Sequence, residues 1–146
     1  DAEKFGVDIH LPIDIVAAPS AGRPDLAQTF SADAIPYNMA GLDIGPETVD
    51  EFGKIIRKSC TVVWNGPMGV FEIPPFDCGT RGIAMTLSEV TANGTVTVVG
   101  GGDSVRAVVE AGLSDKITFV STGGGASLKL LQGVELPALT VLGGNQ

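Results

Sequence analysis

The chain has 146 residues, 44% of them hydrophobic, which suits one globular domain and excludes a disordered chain. Its net charge of −8 argues against a nucleic-acid partner, because phosphate backbones would be repelled. No apolar run approaches a membrane span, and one histidine with two cysteines outside any CxxC pattern makes a zinc site unexpected. Cys60 and Cys78 have no spacing that supports a disulfide, so free thiols, buried or partly buried, in a reducing compartment are expected.

Residues Asp1 to Phe5 read as the end of a helix rather than a natural start, which sets the expectation of a fragment. Val7 to Ala18 is an extended apolar segment, strongest from Ile13. Pro19 to Asn38 is rich in Ala, Ser, Pro and Gly and reads as a long surface segment. Gly45-Pro46-Glu47 predicts a helix start, with Val49, Phe52, Ile55 and Ile56 on one face. Thr61 to Trp64 reads as a buried strand that runs into the loop from Asn65 to Gly69. A helix follows over Cys78 to Val90, then a strand over Thr95 to Val99 and the run Gly100-Gly101-Gly102-Asp103-Ser104. A short helix ends near Gly112, and Ile117 to Val120 is the last strand. Ser121-Thr122-Gly123-Gly124-Gly125-Ala126-Ser127 leads into a helix that closes at Gly133; the tail from Glu135 shows no helical period. The alternation predicts an α/β fold, a Rossmann-like three-layer sandwich with a mainly parallel sheet of about four strands, incomplete on its N-terminal side.

In open parallel sheets ligands bind beyond the carboxyl ends of the strands, where the loops after Trp64, Val99 and Val120 are expected. A glycine run ahead of a helix presents unpaired N–H groups to an anion, although it also permits tight packing. Neither run fits GxxxxGK[ST] or GxGxxG, so a P-loop and a dinucleotide site are disfavoured. Asp103 reads either as a first-turn acid or cap, or as a magnesium ligand beside polyphosphate. Ser104 offers a hydroxyl or a cap, Asn65 a turn or an amide donor to phosphate, and Glu72 a solvated acid or a ribose partner. Trp64 is assigned to the core and His10 no role.

Four motifs in order carry a resemblance: Leu42-Asp43-Ile44-Gly45-Pro46, Val63 to Glu72, Gly100 to Ser104, and Ser121 to Ser127. The series resembles the phosphoglycerate kinases, from about Val7 to Leu142. The resemblance implies a cytoplasmic phosphotransferase of glycolysis or carbon fixation, in a plastid if the source is a photosynthetic eukaryote. Such an enzyme, expected as a monomer, moves a phosphoryl group between 1,3-bisphosphoglycerate and Mg-ADP to give 3-phosphoglycerate and Mg-ATP. Residues 1–134 would be part of the nucleotide-binding domain, and 135–146 a tail packed on a glycerate-binding domain outside this chain. By the same resemblance Gly41 and Leu42 border the adenine, while Gly66, Gly69 and Val70 line the nucleoside. Glu72 holds the ribose, and Asn65 approaches the terminal phosphates. Gly101, Gly102, Asp103 and Ser104 carry phosphates and Mg²⁺, with Asp103 as the metal ligand. Gly102, Gly124 and Gly125 serve the phosphoryl group in flight. The family's glycerate-binding arginine and its GGAKV-type segment with two phosphate-directed lysines have no counterpart here, and no Lys or Arg lies in the glycine loops. Tyr37-Asn38 replaces the Trp usual before the first motif. A non-catalytic nucleotide-binding module is the rival reading; a dehydrogenase would need a GxGxxG turn and a ribose acid about 20 residues on.

Overall fold

A computed structural model describes residues 1–121 and 123–141. Two three-stranded sheets share the chain. The first is antiparallel in the order β2-β1-β3, with β1 Asp14–Ala18 between β2 Gln28–Ser31 and β3 Ala40–Ile44. The second is parallel in the order β4-β5-β6, from β4 Thr61–Asn65, β5 Val96–Gly100 and β6 Phe119–Ser121. The helices are α1 Pro46–Ile56, α2 Cys78–Ala92, α3 Gly102–Glu110, α4 Gly124–Leu131 and α5 Pro137–Val141. This is the expected α/β fold, with an open parallel sheet flanked by helices, although the sheet has three strands rather than four.

Period-two alternation decides how the parallel sheet packs. Val62 and Trp64 on β4, Val99 on β5 and Val120 on β6 share one face by register. That face joins Phe52 of α1, Ile83 and Leu87 of α2, and Val105 and Val108 of α3 in the core. Trp64 is 5% exposed, as expected of a core residue, and its buried Nε1 finds no partner among the described residues. The alternate positions belong to the other face: Val63 is 45% exposed and Phe119 61%. The amphipathic α1 lies against α2, and Arg57 donates to Glu89 between them at 2.9 Å.

The antiparallel sheet holds most of the departures from expectation. Only Asp14–Ala18 of the apolar segment forms a strand, and the supposed surface segment contributes β2 and a 3-10 turn at Pro24–Leu26. β2 is an exposed edge strand, so the solvent-like composition of its segment hid a backbone ladder that needs no buried side chains. A one-turn helix, α5, forms in the tail, where five residues are too few to show a period. Leu142 and the four residues after it, and Thr122 of the fourth motif, lie outside the described residues. Both cysteines are free, as expected, but exposed rather than buried. No helix among the described residues is long and apolar enough to cross a membrane.

Helix α1 starts as Gly45-Pro46 predicts, but Gly45 has no side chain with which to cap it. Asp14 on β1 does so from a distance. Its Oδ2 accepts the Glu47 N–H at 3.0 Å and its Oδ1 the Thr48 N–H at 2.7 Å. The Thr48 hydroxyl donates to Oδ1 at 2.6 Å, and its oxygen accepts the N–H groups of Ile13 and Asp14. Burial alone would raise the Asp14 carboxyl, but these bonds outweigh it and hold the group below its ordinary 3.8. A depressed folded-state pKa stabilises the fold above the unfolded value, and that stability is lost as pH falls through the folded one. Asp14→Ala should therefore cost roughly 1–3 kcal/mol at neutral pH, measured by urea unfolding, because it orphans the buried Thr48 N–H and the half-buried Glu47 N–H. The gap to wild type should narrow below about pH 4, and a gap that does not change with pH would refute the assignment.

Candidate functional site

The parallel register ends three strands together. Asn65 pairs with Gly100, and Gly100 with Ser121, so the loops after β4, β5 and β6 leave the sheet side by side. Gly101 comes at the turn into α3 with φ 90°, where a side chain is strained. A Cβ there would stand 2.5 Å from Asn65 Oδ1, and one on Gly124 4.0 Å from the Gly101 Cα. The two glycine turns and Asn65 are therefore in close approach. No side chain caps α3, whose first turn begins at Gly102, so the N–H groups of its first turn are not used by a cap.

Asp103 sits exposed in that first turn. Among the described residues none pairs with its carboxylate. Ser104, fully buried, neither caps the helix nor faces solvent; its Oγ accepts the Gly66 N–H at 2.6 Å and ties α3 to the β4 loop. The same loop is held twice more: Met68 donates to the Thr80 hydroxyl at 3.0 Å, and Val70 N–H to the Leu42 carbonyl at 2.8 Å. Gly125 is exposed at the start of α4, next to Gly124.

Where the β4 loop meets β3 there is a cleft of about 450 Å³. Gly41, Leu42, Gly69 and Val70, all named from sequence, line it together with Ile15 and Pro67. Its walls are mostly apolar, as a flat aromatic ligand requires. Gly66 precedes the cleft residue Pro67 and donates its N–H to Ser104 of α3, so it links the cleft's loop to the first glycine turn. Glu72 is exposed and engaged through one oxygen: its Oε1 accepts from Arg106, which also reaches Glu110 at 3.5 Å and lies 4.6 Å from the centre of the Phe71 ring. Its own backbone N–H, and then Arg106, hold the Glu72 carboxyl below the ordinary range against a desolvation that would raise it.

Asp43, inside the first motif, was given no role from the sequence. It is 3% exposed, and its Oδ1 accepts the Ile44 N–H at 2.9 Å while its Oδ2 accepts the Gly79 N–H at 2.6 Å. Burial pushes its carboxyl up to about 6 from 3.8; the two backbone bonds oppose the shift and Asp77 adds to it. The sign is opposite to that of Asp14: an ionised Asp43 costs stability above pH 6, and the cost is relieved as pH falls toward 3.8. An acid between apolar neighbours in a strand was the available signal. Arg106, an unremarked residue of α3, was missed because its partner is 34 positions away.

Residues 1–134 match the family described as phosphoglycerate kinase. The phosphoglycerate kinase of Synechococcus sp. (strain JA-3-3Ab) is 52% identical over 141 residues, covering 97% of this chain and 34% of that protein. The chloroplastic phosphoglycerate kinase of Volvox carteri is 50% identical over 141 residues, covering 97% of this chain and 30% of that protein. The structure of phosphoglycerate kinase from Coxiella burnetii matches with a TM-score of 0.86 at 38% identity, covering 97% of this chain and 36% of that one. The Pyrococcus horikoshii OT3 enzyme matches with a TM-score of 0.78 at 30% identity, covering 97% of this chain and 34% of that one. The chain spans about a third of the length of these relatives.

The geometry separates the glycines experimentally. Gly101→Ala should lower unfolding stability by about 1–3 kcal/mol, since it forces a positive φ on alanine and presses on Asn65. Gly102→Ala, with open space around its Cβ, should stay within about 0.5 kcal/mol in the same urea titration. Equal effects at the two positions would contradict the described turn.

Proposed function

This chain belongs to the phosphoglycerate kinase family, and from that premise we propose that it is the nucleotide-binding part of such an enzyme. The reaction is phosphoryl transfer between 1,3-bisphosphoglycerate and Mg-ADP, giving 3-phosphoglycerate and Mg-ATP. The observation that carries the reading is the convergence of three loops at one end of a parallel sheet, beside a mostly apolar cleft. The adenosine enters the cleft between Gly41-Leu42 and Gly69-Val70, and the phosphates run past Gly66 and Asn65 toward the two glycine turns. The first-turn N–H groups of α3, at Gly102, Asp103 and Ser104, have no side-chain cap and would serve phosphate oxygens. Gly124 and Gly125 offer further N–H groups to the phosphoryl group being transferred. Such a transfer needs alignment and charge stabilisation rather than a covalent intermediate, so backbone donors tied to the β4 loop through the Gly66–Ser104 bond are suitable parts. With Oε1 of Glu72 engaged by Arg106, recognition of the ribose falls to Oε2.

Among the described residues no group of three or more His, Cys, Asp or Glu could cage a metal. That fits magnesium bound mainly through phosphate, which takes one or two protein carboxylates and completes its shell with phosphate oxygens and water. Asp103, exposed and unpaired, is the residue that would hold it. When bound, Mg²⁺ neutralises charge on the phosphate oxygens.

The glycerate substrates belong to a part of the protein outside these residues, against which the tail 135–146 packs on this reading. The enzyme is a soluble cytoplasmic or plastidial monomer. Two measurements test the proposal. In the intact protein, Asp103→Asn should weaken Mg-ADP binding at least about tenfold more than ADP binding in excess EDTA, measured by calorimetry. Equal losses would leave Asp103 a first-turn acid and nothing more. The 146-residue chain alone should give no turnover in a coupled assay, and activity should appear only on adding the remainder of the protein. Helix termini contribute about 0.3–1 kcal/mol each at exposed sites. Even a modest enzyme lowers its barrier by about 8 kcal/mol. Turnover by the chain alone would overturn this division of labour.

A further inference from the structure

Gly69 and Gly79 belong to different elements, the β4 loop and the first turn of α2, yet a Cβ on either would run into the same carboxylate, that of Asp43. The side chain of Asp43 therefore occupies the space that both glycines leave open. Gly79 N–H donates to its Oδ2, and Ile44 N–H to its Oδ1, so both oxygens are used as acceptors. Its neighbours along β3 are Gly41 and Leu42, one wall of the cleft; Gly69 and Val70 form the facing wall. Asp43 itself is among the cleft's lining residues.

We propose that Asp43 is a positioning residue of the nucleoside cleft, whose ionised carboxylate holds the β3 wall, the β4 loop and the start of α2 in the spacing that admits an adenosine. This rests on the reading of the cleft as the nucleoside site. The requirement is chemical. A carboxylate accepts two N–H bonds, whereas a carboxylic acid or an amide turns one of its two positions into a donor, which would face an N–H. Protonating Asp43 releases either Ile44 or Gly79 and lets the walls shift, so nucleoside binding and Asp43 ionisation are linked. The charged groups around it do not mask this titration. On the α2 side Asp77 is the acid that acts on it, with Arg81 3.5 Å from Asp77, and the neighbouring Cys78 thiol is pushed up by burial first and then by Asp77 and Asp43. On β1, Asp14 is committed to Thr48 and Glu47. Beyond the β4 loop, Glu72 is committed to Arg106.

The probe is adenosine, which carries no phosphate and needs no metal, so neither Asp103 nor the glycine turns contribute. Calorimetry on the intact protein between about pH 7.5 and pH 5 should show affinity falling below about pH 6, by about tenfold for each unit that binding lowers the Asp43 pKa. Asp43→Asn should bind adenosine more weakly at the upper end of the range and lose the pH dependence. Wild-type affinity that is flat with pH, or an Asp43→Asn protein that binds like wild type, would overturn the proposal and leave the nucleoside reading standing. A purely structural Asp43 would lower stability in the variant but leave wild-type binding flat with pH. If the variant does not fold, the carboxyl carbon of Asp43 is titrated by NMR in the wild type, free and saturated with adenosine. A lower pKa in the complex is the expected result, and an unchanged one refutes the link. Absence of adenosine binding at every pH would remove the nucleoside reading, and this proposal with it.

Discussion

Three parallel strands that end in phase are the constraint on which the candidate site depends. Asn65, Gly100 and Ser121 stand in one row of the ladder, so whatever follows each strand is delivered to the same edge of the sheet. A slip of one residue would move Trp64 and Val99 out of the core, at a cost the fold could not absorb. The same apolar contacts that bury Trp64 against α2 therefore position the polar loops. The loops then lock to each other through few bonds: Gly66 to Ser104, Met68 to Thr80 and Val70 to Leu42. Catalytic precision in such a site would be inherited from the core rather than built locally.

Two buried aspartates show how depth and surrounding donors together decide what a carboxylate does. Asp14 and Asp43 lie in adjacent strands of the antiparallel sheet with little exposed surface, but Asp43 is the deeper of the two and meets the larger desolvation. Asp14 receives two backbone N–H groups and a hydroxyl, enough to overcome desolvation, and acts as a remote cap for α1. Asp43 receives two N–H groups and feels a like charge at Asp77, and desolvation prevails. The first is a source of stability at neutral pH. The second is a cost there, and a fold retains such a cost most readily where the group also does something besides hold the fold together.

The parallel half of the fold was legible because its signals are local. Short apolar runs, glycine stops and a Gly-Pro-Glu helix start lie within a few residues of what they specify, and β4, β5, β6, α1 and α2 all appeared within two residues of expectation at the ends that were predicted. The antiparallel half was not. β2 is a four-residue edge strand whose partner is 11 or more positions away, and nothing in Gln28-Thr29-Phe30-Ser31 announces the pairing. The adenine-side residues Gly41 and Leu42 were named only through the resemblance, and the structure gathers them with Gly69 and Val70 in one cleft. The Glu72–Arg106 pair and the double collar of glycines around Asp43 were invisible, since each exists only after the chain has brought distant segments together.

Charge sets the limit on what this part of the protein can do with an anion. The chain carries −8, and five of its nine cations, Arg23, Lys54, Arg57, Arg81 and Arg106, already face carboxylates. None lies within the glycine turns. Two helix N-termini together bring the equivalent of about one elementary charge, and Asp103 offsets that with a negative one. A bare polyphosphate would thus meet almost no net attraction at the turns, whatever the number of N–H groups aimed at it. On the proposed reading, a magnesium ion at Asp103 converts the acid from a repulsive neighbour into an anchor. The adenosine cleft supplies affinity that needs no charge at all. On that reading the backbone would orient the phosphates, while the apolar cleft and the metal would anchor the two ends of the nucleotide. A P-loop, with its own lysine, concentrates both tasks in one turn. On the proposed reading the tasks are divided, and the remaining positive charge for phosphoryl transfer would reach these turns from other parts of the protein.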